Sequence, residues 1–309
     1  MVNKKVSIII PAYNEAENII SLYKEIVMVM GGVEFSYEII FINDGSKDDT
    51  QNVIDTLIKN DKRVKVIQFR NNFGKAAALQ AGFQESKGDY VIQMDADLQD
   101  DPKEIPMFIE KLENGSDMVV GWKHKRLDSF VKNKTSNFFN TMTSAFSGVN
   151  LHDHNCGFKA YKSEVVKGLN LYGELHRYIA VIVASQGYSV SELLINHRVR
   201  NAGKSKYGPI RFIHGFLDLL TVLFITKFRT RPLHLFGYMG MSAFSFGFLI
   251  GLYLVFVKFI GGQAIGERPL LLFAVMLMIM GVQIAVTGLV GEQIMSNTTK
   301  ANYVIKKII

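Results

Sequence analysis

The sequence predicts an α/β domain on a mostly parallel, doubly wound sheet, followed by an amphipathic helix and a two-helix membrane hairpin. Three observations predict it. From residue 1 to about 120, Val/Ile-rich runs alternate with helical periodicity. Residues Pro209–Phe228 gather apolar side chains on one helical face. Two long uncharged stretches, Pro232–Val257 and Leu270–Gly291, then follow.

The strand candidates are Val6–Ile10, Tyr37–Ile42, Val64–Phe69, Tyr90–Gln93 and Met118–Val120. Helical patterns fill the gaps at Ala16–Val29, Asp49–Asn60, Lys75–Ser86 and Lys103–Asn114. Strands that are apolar throughout have no solvent face, and helices between them supply parallel crossovers. Residues 121–207 are mixed and polar and give no clear assignment; no internal repeat or low-complexity tract appears. In the next segment Ile210, Ile213, Phe216, Leu217, Leu220, Phe224 and Phe228 share one face, with Arg211, His214 and Asp218 off it. This pattern places the helix in the membrane interface, a helix packed on the soluble domain being the alternative.

Each uncharged stretch exceeds the roughly 20 residues that cross a bilayer core. The short Gly-rich loop 261–269 joins them into a hairpin, with spans expected at about 232–259 and 270–294. Lys227, Arg229 and Arg231 precede the first span and Lys300, Lys306 and Lys307 follow the second. The positive-inside rule then puts the N-terminal domain and both termini in the cytoplasm, as a multi-pass protein of the inner (cytoplasmic) membrane. After Lys4 and Lys5, the run Val6–Ile10 ends at Pro11, too short for a signal-peptide core. The expected organisation is a domain at 1–207, a juxtamembrane helix at 208–229, and the hairpin with its tail at 230–309.

A formal charge of +7 suits an anionic lipid surface. No nucleic-acid module or aromatic-interleaved basic stripe appears, so no nucleic-acid partner is expected. The single cysteine, Cys156, cannot form an intramolecular disulfide, in keeping with a reducing compartment.

The informative residues follow the strands. Asp95 and Asp97 sit one residue apart where the fourth strand ends, the edge at which open α/β sheets bind ligands. Together with an oxygen of Gln99 they can share a hard divalent cation whose shell a diphosphate completes. Asp100 or Asp101 reads instead as a cap for a helix with Pro102 at its first position. After the first strand come Pro11, Tyr13, Asn14 and Glu15, of which Asn14 or Glu15 could be a helix cap. After the second, Gly45 makes a turn and Ser46 reads as a cap, leaving Asp44 to accept hydrogen bonds from a base or ribose. After the third, Gly74 and Lys75 open a helix, a fair anion site. No GxGxxG follows the first strand, so the dinucleotide-binding fingerprint is absent.

The stretches Ile8–Glu15, Asn43–Asp48 and Asp95–Gln99 resemble the family 2 glycosyltransferases of GT-A fold. Cys156–Tyr161, Tyr172–Tyr178, Gly203–Gly208 and Thr230–Gly237 narrow the resemblance to the polyprenyl-phosphate glycosyltransferases, the bactoprenol glucosyltransferases and dolichol-phosphate mannose synthase among them. The resemblance covers nearly the whole chain. It implies that Pro11, Tyr13, Glu15, Asp44, Lys75, Asp95 and Ala96 surround a UDP-sugar, and that Asp95, Asp97 and Gln99 hold Mg²⁺ or Mn²⁺. It implies an acceptor-phosphate site at Lys123, Lys132 and Ser136. Relatives often carry Arg at the first two of these, so Lys gives a point charge in place of a bidentate fork. Arg200, Lys204 and Lys206 read as further phosphate contacts or as a solvated basic loop.

The implied reaction is inverting transfer of a sugar, glucose before N-acetylglucosamine, mannose or galactose, from a UDP-sugar to undecaprenyl (polyprenyl) phosphate. A phosphate monoester is mostly dianionic at neutral pH. It needs charge compensation and in-line placement more than a strong base. The catalytic candidates are Asp97, Asp153, Lys123 and Lys132, with Asp153 orienting a sugar hydroxyl or a basic residue, or acting as base. Arg177 is a positioning candidate. The string His152–Cys156 lacks a second ligand cluster at structural-zinc spacing. A processive polysaccharide synthase would carry more spans, and an inactive scaffold would not keep the acidic pair. Relatives with this anchor suggest a homo-oligomer.

Overall fold

The computed structural model describes residues 4–123, 140–145, 147–196, 198, 210–228, 231–262, 264 and 269–298. Packing divides the chain into two units, Met1–Val222 and Leu223–Ile309.

The first unit is built on a seven-stranded sheet in the order β3-β2-β1-β4-β6-β5-β7. The strands are β1 (Lys5–Ala12), β2 (Ser36–Asn43), β3 (Val64–Gln68), β4 (Tyr90–Gln93), β5 (Met118–Lys123), β6 (Lys159–Lys162) and β7 (Val190–Ile195). β1 is central: it pairs in parallel with β2 on one side and β4 on the other. Its Val6, Ile8, Ile9 and Ile10 are fully buried, which is why the run is apolar without alternation. Helices α1 (Ala16–Met30), α2 (Thr50–Asn60), α3 (Lys75–Glu85) and α4 (Ile105–Glu113) make the crossovers. α3 lies close on the sheet at Gly82, where a Cβ would stand 2.5 Å from Ile9 Cγ2 and 2.9 Å from Ile42 Cδ1.

Two strands lie in the segment where the sequence gave no clear assignment. β6 runs antiparallel between β4 and β5, with Lys159 opposite both Gln93 and Val120. β7 pairs in parallel with β5 and closes that edge. The four residues of β6 carry Lys at both ends, so they show neither alternation nor an apolar run. β5 also extends to Lys123, three residues past its expected end.

The expected cap at Ser46 does not form. α2 starts at Thr50, and Ser46 Oγ instead accepts the Asn14 N–H (3.0 Å). Asp48 takes the local role, accepting the Thr50 N–H through Oδ1 (3.1 Å) and the Ala16 N–H through Oδ2 (3.2 Å). The loop after β2 is thereby stapled to the loop after β1. Tertiary hydrogen bonds won over the local capping pattern.

The amphipathic segment forms helix Ile210–Leu223, continued by a π-helical turn at Phe224–Phe228. Leu217 and Leu220 are exposed, whereas Leu219 and Val222 are buried. Asp218, off the predicted apolar face, lies within electrostatic reach of Tyr178.

The second unit carries helices Pro232–Phe259 and Pro269–Thr298. Both are long and apolar enough to cross a membrane, with mean hydropathies of 2.0 and 2.5. They meet through small residues. A Cβ on Gly240 would lie 2.5 Å from Gly281 O, one on Gly281 2.6 Å from Gly240 O, and one on Gly247 2.7 Å from Ala274 O. Gly240 and Gly247, like Ala274, Gly281 and Gly288, recur at seven-residue spacing, which keeps the seam on one side of each helix. Glu292 Oε2 accepts the Leu233 N–H (3.2 Å), satisfying a donor in the first turn of the facing helix.

Candidate active site

The loops after β1, β2, β3 and β4 converge on one cleft of about 420 Å³, at the carboxyl ends of the strands where the strand order departs to either side of β1. Pro11, Ala12, Tyr13, Glu15, Asp44, Asn72, Gly74, Lys75, Asp95, Ala96 and Asp97 line it. All seven residues expected around the donor are therefore brought together, with Asp97 beside them.

Each loop is fixed by hydrogen bonds between strand ends. Asn14 has a left-handed backbone (φ 57°), and its Oδ1 accepts the Lys47 N–H at 2.8 Å. Glu15 opens α1 without a side-chain cap bond, and its Oε2 accepts from Asn18 Nδ2 (2.6 Å). Asp44 is buried; its Oδ1 accepts the Phe73 N–H (2.7 Å) and its Oδ2 the Gly74 N–H (3.0 Å). Asp44 thus ties the loops after β2 and β3, a role its sequence context did not suggest. Gly45 (φ +68°) lets those loops touch, since a Cβ there would stand 2.4 Å from Asn71 C.

The acidic turn is tight. Leu98, between Asp97 and Gln99, has φ 61°, a conformation that costs a non-glycine residue about 1–2 kcal/mol. The strain brings the Gln99 N–H to Asp97 Oδ1 (3.2 Å). Gln99 is not among the residues lining the cleft; its carbonyl accepts the Arg198 N–H at 3.1 Å. Asp101 provides the cap the sequence anticipated, with Oδ1 accepting the Lys103 N–H at 3.0 Å. Asp100 does not cap. It is 1% exposed and pairs with Lys123 Nζ at 2.8 Å.

Charge alternates through this region. Lys75 Nζ lies 2.5 Å from Asp95 Oδ1. Burial alone would raise the Asp95 pKa, but Lys75, then Lys123 and His176, outweigh it and hold the carboxyl below its ordinary range. Burial likewise opposes the Lys75 ammonium, and Asp95 overcomes it, so that pKa is raised. Lys123 follows the same pattern: its burial is outweighed chiefly by Asp100. Both lysines stay charged at neutral pH.

Behind the cleft lie residues the sequence did not single out. Lys159 is 1% exposed, and burial lowers its pKa to about 8 despite Cys156, Asp153 and Asp95 nearby. His176 falls to about 2 through burial and the charges of Lys75, Arg177 and Lys159, so it is neutral. Gly157 backs Asp95 directly: a Cβ there would stand 2.4 Å from Asp95 Oδ2. Only a glycine in the Cys156–Tyr161 stretch hinted at such an approach. Cys156 itself is buried and its thiol is pushed up to about 12, which makes it inert.

The remaining expected residues divide. Asp153 is 1% exposed and does not line the cleft. Its turn is held by Glu192 on β7, whose Oε1 accepts the His152 N–H (2.6 Å) and the Asp153 N–H (3.2 Å). Trp122 stacks on His152 with ring centroids 4.0 Å apart. Lys123 does not line the cleft either, its ammonium being engaged by Asp100. Arg177 pairs with Glu174 at 2.7 Å. Lys132, Ser136, Arg200, Lys204 and Lys206 lie outside the described residues.

The donor set fits a hard cation. Among the described residues no three His, Cys, Asp or Glu side chains converge on one point. The protein thus offers the two carboxylates Asp95 and Asp97 at a polar cleft, and the rest of a Mg²⁺ or Mn²⁺ shell is left to phosphate oxygens and water.

A parallel sheet with an antiparallel insertion and an acidic pair at the strand ends defines a GT-A glycosyltransferase. Residues 7–169 match the glycosyl transferase family 2, and the chain belongs to that family. It is 35% identical to the dodecaprenyl-phosphate galacturonate synthase of Rhizobium johnstonii, over 98% of this chain and 93% of that relative. It is 33% identical to the undecaprenyl-phosphate 4-deoxy-4-formamido-L-arabinose transferase of Shewanella sediminis, over 94% of this chain and 86% of the relative. Among solved structures, the fold is similar to glucosyl-3-phosphoglycerate synthase from Mycobacterium tuberculosis in complex with Mn²⁺ and UDP-glucose. That likeness has a TM-score of 0.56 at 17% identity, over 72% of this chain and 79% of the other.

Proposed function

We propose that this glycosyltransferase moves a sugar from a UDP-sugar to undecaprenyl phosphate at the cytoplasmic face of the membrane, inverting the anomeric carbon. The observation that carries the reading is the convergence of Pro11, Tyr13, Glu15, Asp44, Lys75, Asp95, Ala96 and Asp97 on one cleft. The polyprenyl-phosphate acceptor is supported by the names of the relatives, matched over nearly the full chain. The two apolar helices keep the enzyme where that acceptor resides.

The chemistry follows from charge. The lipid phosphate arrives as its own nucleophile, mostly dianionic at neutral pH, so no residue has to deprotonate it. The protein's task is to hold two anions close enough for in-line attack. Lys75, at the opening turn of α3, faces the donor diphosphate together with that helix N-terminus. Asp95 and Asp97 would hold Mg²⁺ or Mn²⁺, which when bound neutralises the charge on the departing diphosphate. Lys132, Ser136, Arg200, Lys204 and Lys206 take the acceptor phosphate. Lys123, paired with Asp100, acts by fixing the acidic turn and adding positive field behind it. Asp153, buried and not among the residues lining the cleft, positions neighbouring groups rather than acting as a base.

Glucose is the sugar that the sequence resemblance favours. Purified full-length protein with undecaprenyl phosphate, Mn²⁺ and a panel of UDP-sugars including glucose, galacturonate and formamido-arabinose tests both substrates at once. The expected product is a lipid-linked sugar, formed fastest from UDP-glucose. A faster rate with another donor corrects the sugar alone, and release of free sugar without lipid product sinks the acceptor.

A further inference from the structure

We propose that Lys75 is a placeholder for the metal: its ammonium closes the open oxygen of Asp95 until a nucleoside diphosphate arrives, so the metal enters with the donor. The inference rests on the donor-site reading above and adds an order of binding to it. Its basis is how Asp95 is enclosed. On one side Gly157 packs so closely that even a methyl group would stand 2.4 Å from Oδ2 and 3.1 Å from Oδ1. With no side chain at Gly157, the carboxylate lies close against that backbone. Lys75 Nζ sits 2.5 Å from Oδ1, the oxygen farther from the Gly157 position. Lys75 and Asp95 have side-chain exposures of 31% and 32%, so the pair is reachable from the cleft rather than sealed in the core.

A divalent cation approaching Asp95 alone meets an ammonium at the atom it needs. Two cations cannot share that oxygen without repulsion, and the nearby charge of Lys123 does nothing to relieve it. A diphosphate changes the balance, because it brings enough negative charge for both. Lys75 then leaves Asp95 to the metal and turns its flexible stem to a phosphate oxygen. It starts from the first turn of α3, beside Gly74 in the same cleft, so the swing needs side-chain rotation only. Because coupling is reciprocal, the nucleotide tightens the metal by the same factor as the metal tightens the nucleotide.

The test is a Mn²⁺ titration of full-length protein in detergent, read by the EPR signal of free Mn²⁺, with and without UDP. Wild type is expected to bind Mn²⁺ weakly alone and more tightly with UDP. Lys75→Met is expected to bind Mn²⁺ alone about two- to fivefold more tightly than wild type, the range a partly exposed ion pair commands, and to gain less from UDP. Lys75→Arg keeps the charge and should stay near wild type. Mn²⁺ binding by Lys75→Met no tighter than wild type overturns the proposal, as does Lys75→Arg behaving like Lys75→Met. If Lys75→Met does not fold, Lys75→Gln carries the same comparison. Wild type that binds no Mn²⁺ even with UDP, or Asp97→Ala that binds it as wild type does, removes the metal site itself.

Discussion

The catalytic unit and the membrane hairpin both depend on glycine at their closest contacts, but what the glycine admits differs. Gly157 makes room for the carboxylate of Asp95. Gly240 and Gly281 make room for each other's backbone. In the first unit the fold accepts buried charge because each carboxylate finds a cation or N–H groups: Asp100 has Lys123, Asp44 has two backbone N–H groups, and Glu38 has Lys5 and Lys65. In the hairpin the surroundings are as apolar as the helices, so burying more apolar area gains little and close van der Waals contact decides the pairing. Its Glu292 meets an orphan N–H in the first turn of the facing helix. One region uses close packing to aim a charge, the other to join two helices.

The largest effect belongs to the charge that is aimed. Asp97→Ala should lower lipid-linked sugar formation by about a thousandfold, as loss of a group that stabilises developing charge does, while the protein stays folded. A rate within tenfold of wild type would remove Asp97 from the chemistry. Gly157→Ala should come next. Its methyl group must push Asp95 aside, and a displacement near 1 Å costs on the order of a hundredfold in rate. Glycosyl transfer measured alongside thermal unfolding separates this from simple destabilisation, since overpacking of this kind typically costs about 1–3 kcal/mol.

The matching change in the hairpin sharpens the contrast. Gly281→Leu forces the helices apart at Gly240 O and should destabilise the hairpin by about 1–3 kcal/mol, seen as a lower SDS-unfolding midpoint. UDP binding, on the proposed reading a property of the strand-end cleft, should be unchanged. A comparable loss of UDP binding would show that the two regions do not act separately.

An effect of similar size is a matter of pH, at the edge of the sheet opposite the cleft. Burial pushes the Glu38 carboxyl up, but Ser7, Lys5, Lys65 and the Lys87 N–H outweigh it and bring it to about 2, from an ordinary 4.5. A depressed acid stabilises the fold above its unfolded pKa, and that stability is lost as pH falls towards the folded value. Wild type should therefore lose about 2–3 kcal/mol between roughly pH 5 and 2 from this group. Glu38→Gln should be less stable at neutral pH and flatter across that window in thermal unfolding. An unchanged pH dependence would mean the cluster does not hold Glu38 charged.

Most of the α/β framework was legible because each early element carries a strong local signal. β1 to β4 are apolar runs closed by polar loops, and the helices between them repeat at helical spacing. The strand-end cleft was legible for the same reason: its residues follow strands, and parallel topology sends all those ends to one edge. β6 was not legible, since a four-residue strand with Lys at each end takes its stability from β4 and β5 on either side. Ser46 had the local look of a cap, yet Asn14 and Asp48 compete for the same turn across the sheet edge.

By itself, then, the sequence determined the elements of the first 120 or so residues, the two apolar spans and the acidic pair, because periodicity, hydropathy and strand ends are local properties. Only the tertiary structure decided which charges meet. That Lys75 reaches Asp95, that Lys123 is engaged by Asp100, and that Gly157 stands against the Asp95 carboxylate depend on chain segments 20, 23 and 62 residues apart. Electrostatic partners are set by distance in space, and no spacing along the chain encodes that distance until the sheet has folded.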